Sequence, residues 1–233
     1  MSTRTLSPGA LRVRSARRHV SRALVVVPDS AHTTGAGADG GVPEWAQRWC
    51  GRSDWQLQRH ADAGPFAAVS AARLDARVLV LRPVERGRPA GSEGRPSSPR
   101  VVAAVRSLPD DAPVVTDAAA AAACMGARLT VVHAVPRSFA ERSVGLAGAV
   151  THGQRLLEAA AGRATGHEPG LRVDCELLRM RPYELVGEAL HADLLVVGGA
   201  RTDRTVGAPG SGPGLVAHSA LHHAPCPVLL TPR

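Results

Sequence analysis

After residue 100, short apolar segments alternate with longer helical segments, and this alternation restricts the fold more than any other feature of the sequence. The apolar segments predict five β-strands, and the segments between them predict four α-helices. The predicted strands are 101–105, 128–135, 173–178, 193–199 and 226–232, and two of the predicted helices are 114–125 and 181–192. Because right-handed crossovers join parallel strands and place helices on both faces, the sequence predicts an α/β fold with a doubly wound, five-stranded parallel sheet.

The first part of the chain contains a weaker version of the same pattern. Residues 22–30 and 77–82 predict strands. The stretch 54–83 resembles 173–199, since both have a strand, a helix that starts at a proline-aromatic pair and a second strand. We interpret residues 21–86 as a smaller, degenerate copy that has lost a strand and a helix near its beginning and also its last helix and strand. An unrelated α/β segment is the alternative, because such units resemble one another through periodicity alone.

Composition divides the chain further. Residues 87–99 are rich in Gly, Pro and Ser without apolar periodicity, which predicts a linker before a full domain at 100–233. Residues 1–20 are expected to form a disordered, Arg-rich arm. The arm and the two residues after it carry six arginines and no acidic residue, and so supply most of the net charge of +8. Since no aromatic residues are interleaved with these arginines, nucleic acid is not an expected partner.

The apolar runs and the cysteines together indicate the compartment of the protein. The apolar runs are too short to span a bilayer, and the first residues lack an apolar signal segment. The four cysteines are far apart in the sequence and lie in or beside apolar segments, which predicts buried, reduced thiols. We therefore expect a cytoplasmic protein with no membrane association.

The loop after the fourth predicted strand is the candidate ligand site. Glycine-rich turns between a strand and a helix bring backbone N–H groups close to phosphates, and a helix N-terminus attracts anions. The candidate binding residues, which apply only if ATP binds, are Gly198, Gly199, Arg201, Gly210, Ser211, Gly212 and Gly214.

Three segments, "ARLTVVHAV", "ADLLVVGG" and "ALHHAPCPVLL", are very similar to the universal stress protein family. The resemblance covers residues 100–233 well and 20–86 faintly, so the chain resembles a tandem protein with an abbreviated first copy. It implies a strand order of 3-2-1-4-5, as in adenine-nucleotide-hydrolase-like folds. It also implies a homodimer formed through the last strand and a regulatory role in stress, with ATP bound by some members and not by others.

The chain departs from the pattern that is typical of ATP-binding members, which is G-x-x-G, nine residues, then G-S or G-T. Gly198 matches the first glycine, but Arg201 stands at the second position and Leu215 replaces the hydroxyl residue. Arg106 stands where those members usually have an Asp after the first strand. These departures predict a non-enzymatic protein with weak or lost ATP binding and an unknown regulatory partner.

Two alternatives involve ligands. The longer loop could form a different cradle, in which Arg201 and Arg204 neutralise phosphate charge beside the glycines. His218 and His222 are four residues apart on the last predicted helix, which is a spacing that can bind a metal ion. We expect no metal there, because histidines near a helix C-terminus also interact favourably with the helix dipole.

Overall fold

The computed structural model describes residues 23–28, 42–53, 55–59, 76–82, 98–135, 145–186, 191–199 and 214–232. The arm at 1–20 and most of the linker at 87–99 lie outside these ranges, as does the helix expected after the proline-aromatic pair of the first half. The domain boundaries therefore stay predictions.

Eight strands form one sheet. They are β1 (Ala23–Pro28), β2 (Gln56–Arg59), β3 (Arg77–Leu81), β4 (Arg100–Ala104), β5 (Arg128–Ala134), β6 (Val173–Leu178), β7 (Leu194–Gly198) and β8 (Val228–Thr231). Their order across the sheet is β2-β1-β3-β8-β7-β4-β5-β6. The last five strands of the chain are parallel to one another and lie in the order 3-2-1-4-5. The predicted fold class and strand order of the second half are therefore confirmed.

The last strand is not at an edge of the sheet, contrary to the expectation. β3 pairs with β8 in the antiparallel direction, with Val78 opposite Leu230 and Val80 opposite Val228. Side chains of both strands are buried. The first half thus covers the last strand with β3, although it was interpreted as having lost its own last strand. A homodimer through β8 would find its backbone groups already paired.

Four α-helices are described: α1 (Glu44–Ser53), α2 (Ala112–Met125), α3 (Leu146–His167) and α4 (Leu215–His223). α2 ends at Gly126, whose left-handed φ of 64° lets its N–H reach the carbonyls of the last helical turn. α2 is built mainly of alanines because it is covered on several sides, by the sheet and by α1 and α3. Small side chains permit this close packing.

α1 was not predicted, and it lies where the first half was interpreted as having lost a helix. Trp45 and Trp49 are four residues apart, and Ala46, Trp49 and Cys50 are buried. This apolar face is a helical signal in the sequence, and it packs against α2. The first half is therefore less abbreviated than expected.

The predicted helix at 181–192 is only partly supported. A 3-10 turn occupies Glu184–Val186, preceded by a hydrogen-bonded turn in which the Arg181 N–H donates to the Glu184 carboxylate at 3.0 Å. Residues 187–190 lie outside the described ranges. His191 has a positive φ of 39°, which is not helical, so the helix does not continue to residue 192.

Apolar clusters on both faces of the sheet include residues of both halves. On the face covered by α1, α2 and α3, Trp49 and Leu79 of the first half join Val101, Leu129 and Leu229. On the face covered by α4, Val78 and Val80 pack with residues of β7 and β8. The two halves therefore contribute to the same two hydrophobic clusters, one on each face of the sheet.

Candidate nucleotide-binding crevice

The crevice lies at the carboxyl ends of β4 and β7, where the strand order of the second half reverses. β4 pairs with β5 on one side and with β7 on the other. The chain leaves β4 toward α2 on one face and leaves β7 toward α4 on the opposite face. Ligands of open α/β sheets bind at such a switch point.

At the end of β4, backbone donors are already engaged. The Arg106 N–H donates to Oδ2 of Asp111 at 2.6 Å, and the Ser107 N–H donates to the same oxygen at 3.2 Å. Asp111 is fully buried, whereas the Arg106 side chain is exposed. The carboxylate therefore holds the loop against the strand end and occupies two backbone N–H groups there.

Sequence reasoning missed Asp111. The signal in the sequence is weak. Asp111 is the second of two adjacent acidic residues, and it lies two residues before Pro113, which is in the first turn of α2. Such an aspartate usually predicts a side-chain cap on its own helix. Here no such cap bond forms, and the carboxylate binds the N–H groups of residues that precede it.

A histidine on the neighbouring strand also binds this loop. Nδ1 of His133 lies 2.9 Å from the carbonyl oxygen of Val105. A carbonyl can only accept, so Nδ1 carries the proton in this contact. The end of β4 is thus held by Asp111 from the helix side and by His133 from β5.

At the end of β7, the two predicted binding glycines extend the sheet. Gly198 is opposite Thr231 of β8, and the Gly199 N–H donates to the Thr231 carbonyl at 2.7 Å. The Gly199 N–H therefore already has a carbonyl acceptor. Four further predicted binding residues, Arg201, Gly210, Ser211 and Gly212, lie outside the described residues and stay predictions, as does Arg204.

Gly214, the last predicted binding residue, is the N-cap of α4. It has an extended conformation (φ −57°, ψ 157°), and no side chain caps the helix there. The next residue, Leu215, is 75% exposed and has no hydroxyl group. The first-turn N–H groups of α4 are the helix-terminal donors at this side of the crevice.

The opposite end of α4 is held by the first half. Arg82, which is only 7% exposed, follows β3, and its guanidinium donates to the carbonyl oxygens of Leu221 and Ala224. A cation at a helix C-terminus offsets the partial negative charge of the terminal carbonyls. The first half therefore fixes the helix whose beginning borders the crevice.

A groove of about 440 Å³ lies elsewhere among the described residues. It is lined by residues such as Gly126, Arg128, Gly170 and Arg172, at the amino ends of the strands. This groove lies at the opposite end of the sheet from the crevice and contains none of the predicted binding residues.

The histidines of α4 lie close together, with the ring centroids of His218 and His222 4.6 Å apart. Within the described part of the chain, no group of three or more His, Cys, Asp or Glu side chains is placed to hold a metal ion. The search for membrane-spanning segments covered the same residues, and none of their helices has the length and apolar character to cross a bilayer.

Taken together, the strand order and the crevice at the switch point define an α/β protein of the doubly wound class, with a crevice at the position where open α/β sheets bind ligands. The model of the universal stress protein family matches residues 97–232, which is more than half of the chain. The chain belongs to this family. No curated protein matches the chain at a significant level.

Several solved structures are similar to part of the chain. A universal stress protein from Archaeoglobus fulgidus is 22% identical, with a TM-score of 0.47, and the match covers 58% of this chain and 99% of that one. One from Lactobacillus plantarum is 18% identical, with a TM-score of 0.43 and coverage of 59% and 99%. A third, a universal stress protein in complex with cAMP, is 20% identical, with a TM-score of 0.44 and coverage of 58% and 98%.

Proposed function

We propose that this protein is a non-enzymatic, cytoplasmic regulator of the universal stress type whose crevice binds ATP weakly or not at all. One observation carries the proposal: backbone donors at both strand ends of the crevice are occupied. The N–H groups of Arg106 and Ser107 bind Asp111, and that of Gly199 binds Thr231. A phosphate at these positions would have to displace existing hydrogen bonds, and this cost reduces the net gain from binding.

The side chains at the crevice support the same conclusion. Arg106 places an exposed cation at the end of β4, where ATP-binding members usually have an acidic residue. Leu215 places an exposed apolar side chain at the start of α4, where a hydroxyl group would donate to a phosphate. Asp111 accepts two backbone hydrogen bonds, so we assign it a role in holding the loop and not one as a catalytic base.

A nucleotide-binding protein with a rebuilt glycine-rich loop is the second candidate. The observation that favours it is the N-terminus of α4, whose N-cap is Gly214 and which has no side-chain cap. Unsatisfied N–H groups and the helix dipole at such a terminus attract anions. In this candidate, the predicted residues between Gly198 and Gly214 form the cradle, and ATP is the cofactor.

Thermal melting in millimolar Mg-ATP distinguishes the two candidates. A ligand at about a hundred times its Kd stabilises a fold by about 2.7 kcal/mol, which raises the Tm of a protein of this size by several degrees. We expect a change of less than about 1 °C, because the ligand adds little stabilisation when its concentration is below its Kd.

The second candidate requires a clear rise in Tm that is lost in the Gly212→Val and Gly214→Val variants. Gly162→Val is the matched control, since Gly162 is an exposed glycine of α3 with open space around its Cα. Release of inorganic phosphate from Mg-ATP tests the non-enzymatic assignment separately. A rate above background that Asp111→Asn abolishes, in a variant that still folds, would refute that assignment.

A further inference from the structure

Three arginines are neighbours at the amino ends of β4, β5 and β6. Arg100 is the register partner of Arg128 in the pairing of β4 with β5. Leu129 of β5 is the register partner of Val173 of β6, and its N–H donates to the carbonyl of Arg172 at 2.9 Å. Arg128 and Arg172 immediately precede these two partners. Because neighbouring strands are only about 5 Å apart, the fold places three cationic residues in a row.

The three arginines differ in their partners. Nε of Arg100 donates to Oγ1 of Thr130 at 3.0 Å, and its Nη2 donates to Oε1 of Glu176 at 2.6 Å, so this cation is neutralised within the sheet. Arg128 and Arg172 are exposed, and neither guanidinium forms a hydrogen bond or an ion pair with any residue that the structure describes. Like charges on neighbouring strands repel each other. An anion bound between these two arginines would relieve the repulsion.

Arg128 and Arg172 line the same concave surface, the groove of about 440 Å³ at the amino ends of the strands. Its volume lies within the range of small-molecule sites. Glu168 also lines the groove, but its two carboxylate oxygens accept hydrogen bonds from Nη2 of Arg52 at 2.9 and 3.1 Å. Because Arg52 already neutralises this carboxylate, the groove has a net positive charge.

The C-terminal end of α2 also borders the groove, and the carbonyl groups at a helix C-terminus disfavour anions. These carbonyls are already engaged. The Ala122 carbonyl accepts the N–H of Ala127 at 2.9 Å, and the Cys124 carbonyl accepts a hydrogen bond from Nη2 of Arg48 at 2.8 Å. These contacts offset the partial negative charge of the helix end, so it does not cancel the charge of the two arginines.

We propose that this groove binds a small phosphorylated molecule, with its phosphate group between the guanidiniums of Arg128 and Arg172. A phosphate monoester carries a charge of about −1.5 to −2 at pH 7, which matches two guanidiniums better than a single carboxylate does. Planar guanidinium groups also bind phosphate oxygens in a bidentate manner. The apolar part of the lining, which includes Ala123 and Leu171, faces the carbon skeleton of the ligand.

Amide NMR of the full chain tests the proposal with glycerol 3-phosphate as the probe. We expect saturable shifts of the backbone amide signals of residues 126–128 and 170–172, with a Kd in the millimolar range or below. Glycerol, and sodium chloride at matched ionic strength, should produce no such shifts, because neither supplies a phosphate and salt only screens charge. The absence of saturable shifts would overturn the proposal. Shifts confined to Arg106 and Gly199 would place the phosphate in the crevice and overturn it as well.

Three variants assign the contacts. Arg128→Gln and Arg172→Gln should each weaken binding of glycerol 3-phosphate at least about tenfold, which is the scale of a hydrogen bond to a charged group. Arg163→Gln is the matched control and should bind as the wild type does, because it removes the same charge from an exposed position of α3 outside the groove. Circular dichroism confirms that each variant folds. Equal affinity in the three folded variants would overturn the proposal.

Thermal melting without phosphate separates a binding role of Arg128 from a structural one. Arg128→Gln should melt no lower than the wild type, because the substitution removes a repulsion between neighbouring cations. Glycerol 3-phosphate should then raise the Tm of the wild type and not that of the variant. A lower Tm of the variant together with unchanged affinity would assign Arg128 to the stability of the fold and overturn the proposal.

Discussion

Arg77 of β3 and Asp117 of α2 form a bidentate ion pair between the two halves of the chain. Nε lies 2.8 Å from Oδ2, and Nη2 lies 3.2 Å from Oδ1. The side chains are only 17% and 7% exposed. The guanidinium carbon of Arg77 also lies 4.2 Å from the ring centroid of Trp55. A single arginine therefore links the sheet, α2 and Trp55 of the first half.

We expect Arg77→Met to lower the free energy of unfolding by about 3 kcal/mol, because the substitution leaves a buried carboxylate without its cation. Urea denaturation followed by tryptophan fluorescence measures this loss, since all three tryptophans belong to the first half. Glu44→Gln is the control, because the Glu44–Arg48 pair is exposed and such pairs contribute little. If Arg77→Met had the same urea midpoint as the wild type, the Arg77–Asp117 pair would add nothing to the free energy of unfolding.

The pH dependence of stability should report on Asp117. Burial raises the pKa of its carboxyl above the ordinary 3.8, and Arg77 only partly opposes this. The folded chain thus holds this proton more tightly than the unfolded chain. The contribution of Asp117 to stability is therefore greatest below pH 3.8, falls as pH rises through the raised pKa and stays low above it.

Urea denaturation of the wild type and of Asp117→Asn between pH 4 and 7 tests this sign. The difference in unfolding free energy, wild type minus variant, should decrease as pH rises, because asparagine does not titrate. A difference that increases with pH would mean that Arg77 stabilises the carboxylate by more than burial costs.

Arg82→Met should loosen α4. Methionine retains much of the apolar stem of arginine but cannot donate to the carbonyls of Leu221 and Ala224. We therefore expect the free energy of unfolding to fall by about 2 kcal/mol. Hydrogen exchange should become faster in α4 before it does so in β5. Arg106→Met is the control, since that side chain is exposed. Equal exchange in α4 of Arg82→Met and wild type would contradict the assigned role of Arg82.

The pairing of β3 with β8 predicts a monomer at micromolar concentration, because the strand that the family resemblance assigns to dimerisation is already covered. Sedimentation equilibrium measures the mass. If a dimer is found, Leu57→Lys tests whether it forms through the edge strand β2, where Leu57 is 38% exposed. The substitution should dissociate a dimer that uses β2 and leave a dimer that uses another surface intact. A dimer in which β8 exchanges its partner for a second copy would contradict the prediction.

Much of the second half was predictable from the sequence because its signals are local. The strand predicted at 173–178 matches β6 residue for residue, and α2 begins only two residues before the predicted helix. Burial on both faces makes central parallel strands continuous apolar runs, and the crossover rule then places helices on both faces of the sheet. α1 also had a local signal in Trp45 and Trp49, but the surrounding glycine-rich sequence obscured it.

The candidate site was less predictable, because its contacts depend on which groups the fold brings together. Gly198 and Gly214 could be placed by the loop pattern, whereas the engagement of the Arg106 N–H by Asp111 depends on how the loop closes. The Gly199 N–H binds a carbonyl of β8, a strand that only the folded sheet places beside it. A motif specifies residue types and spacing, but it does not state whether its donors are already occupied.

The sequence by itself determined the α/β class and the loop in which a ligand site should lie, because periodicity records which faces of each element are buried. The strand order of the second half followed from the family resemblance. Only the tertiary structure decided that β3 covers β8, that Arg77 binds Asp117 and that Arg82 holds the end of α4. These contacts join residues that are far apart in the chain. Periodicity shows that a strand or an arginine is buried, but the packed fold alone determines its partner.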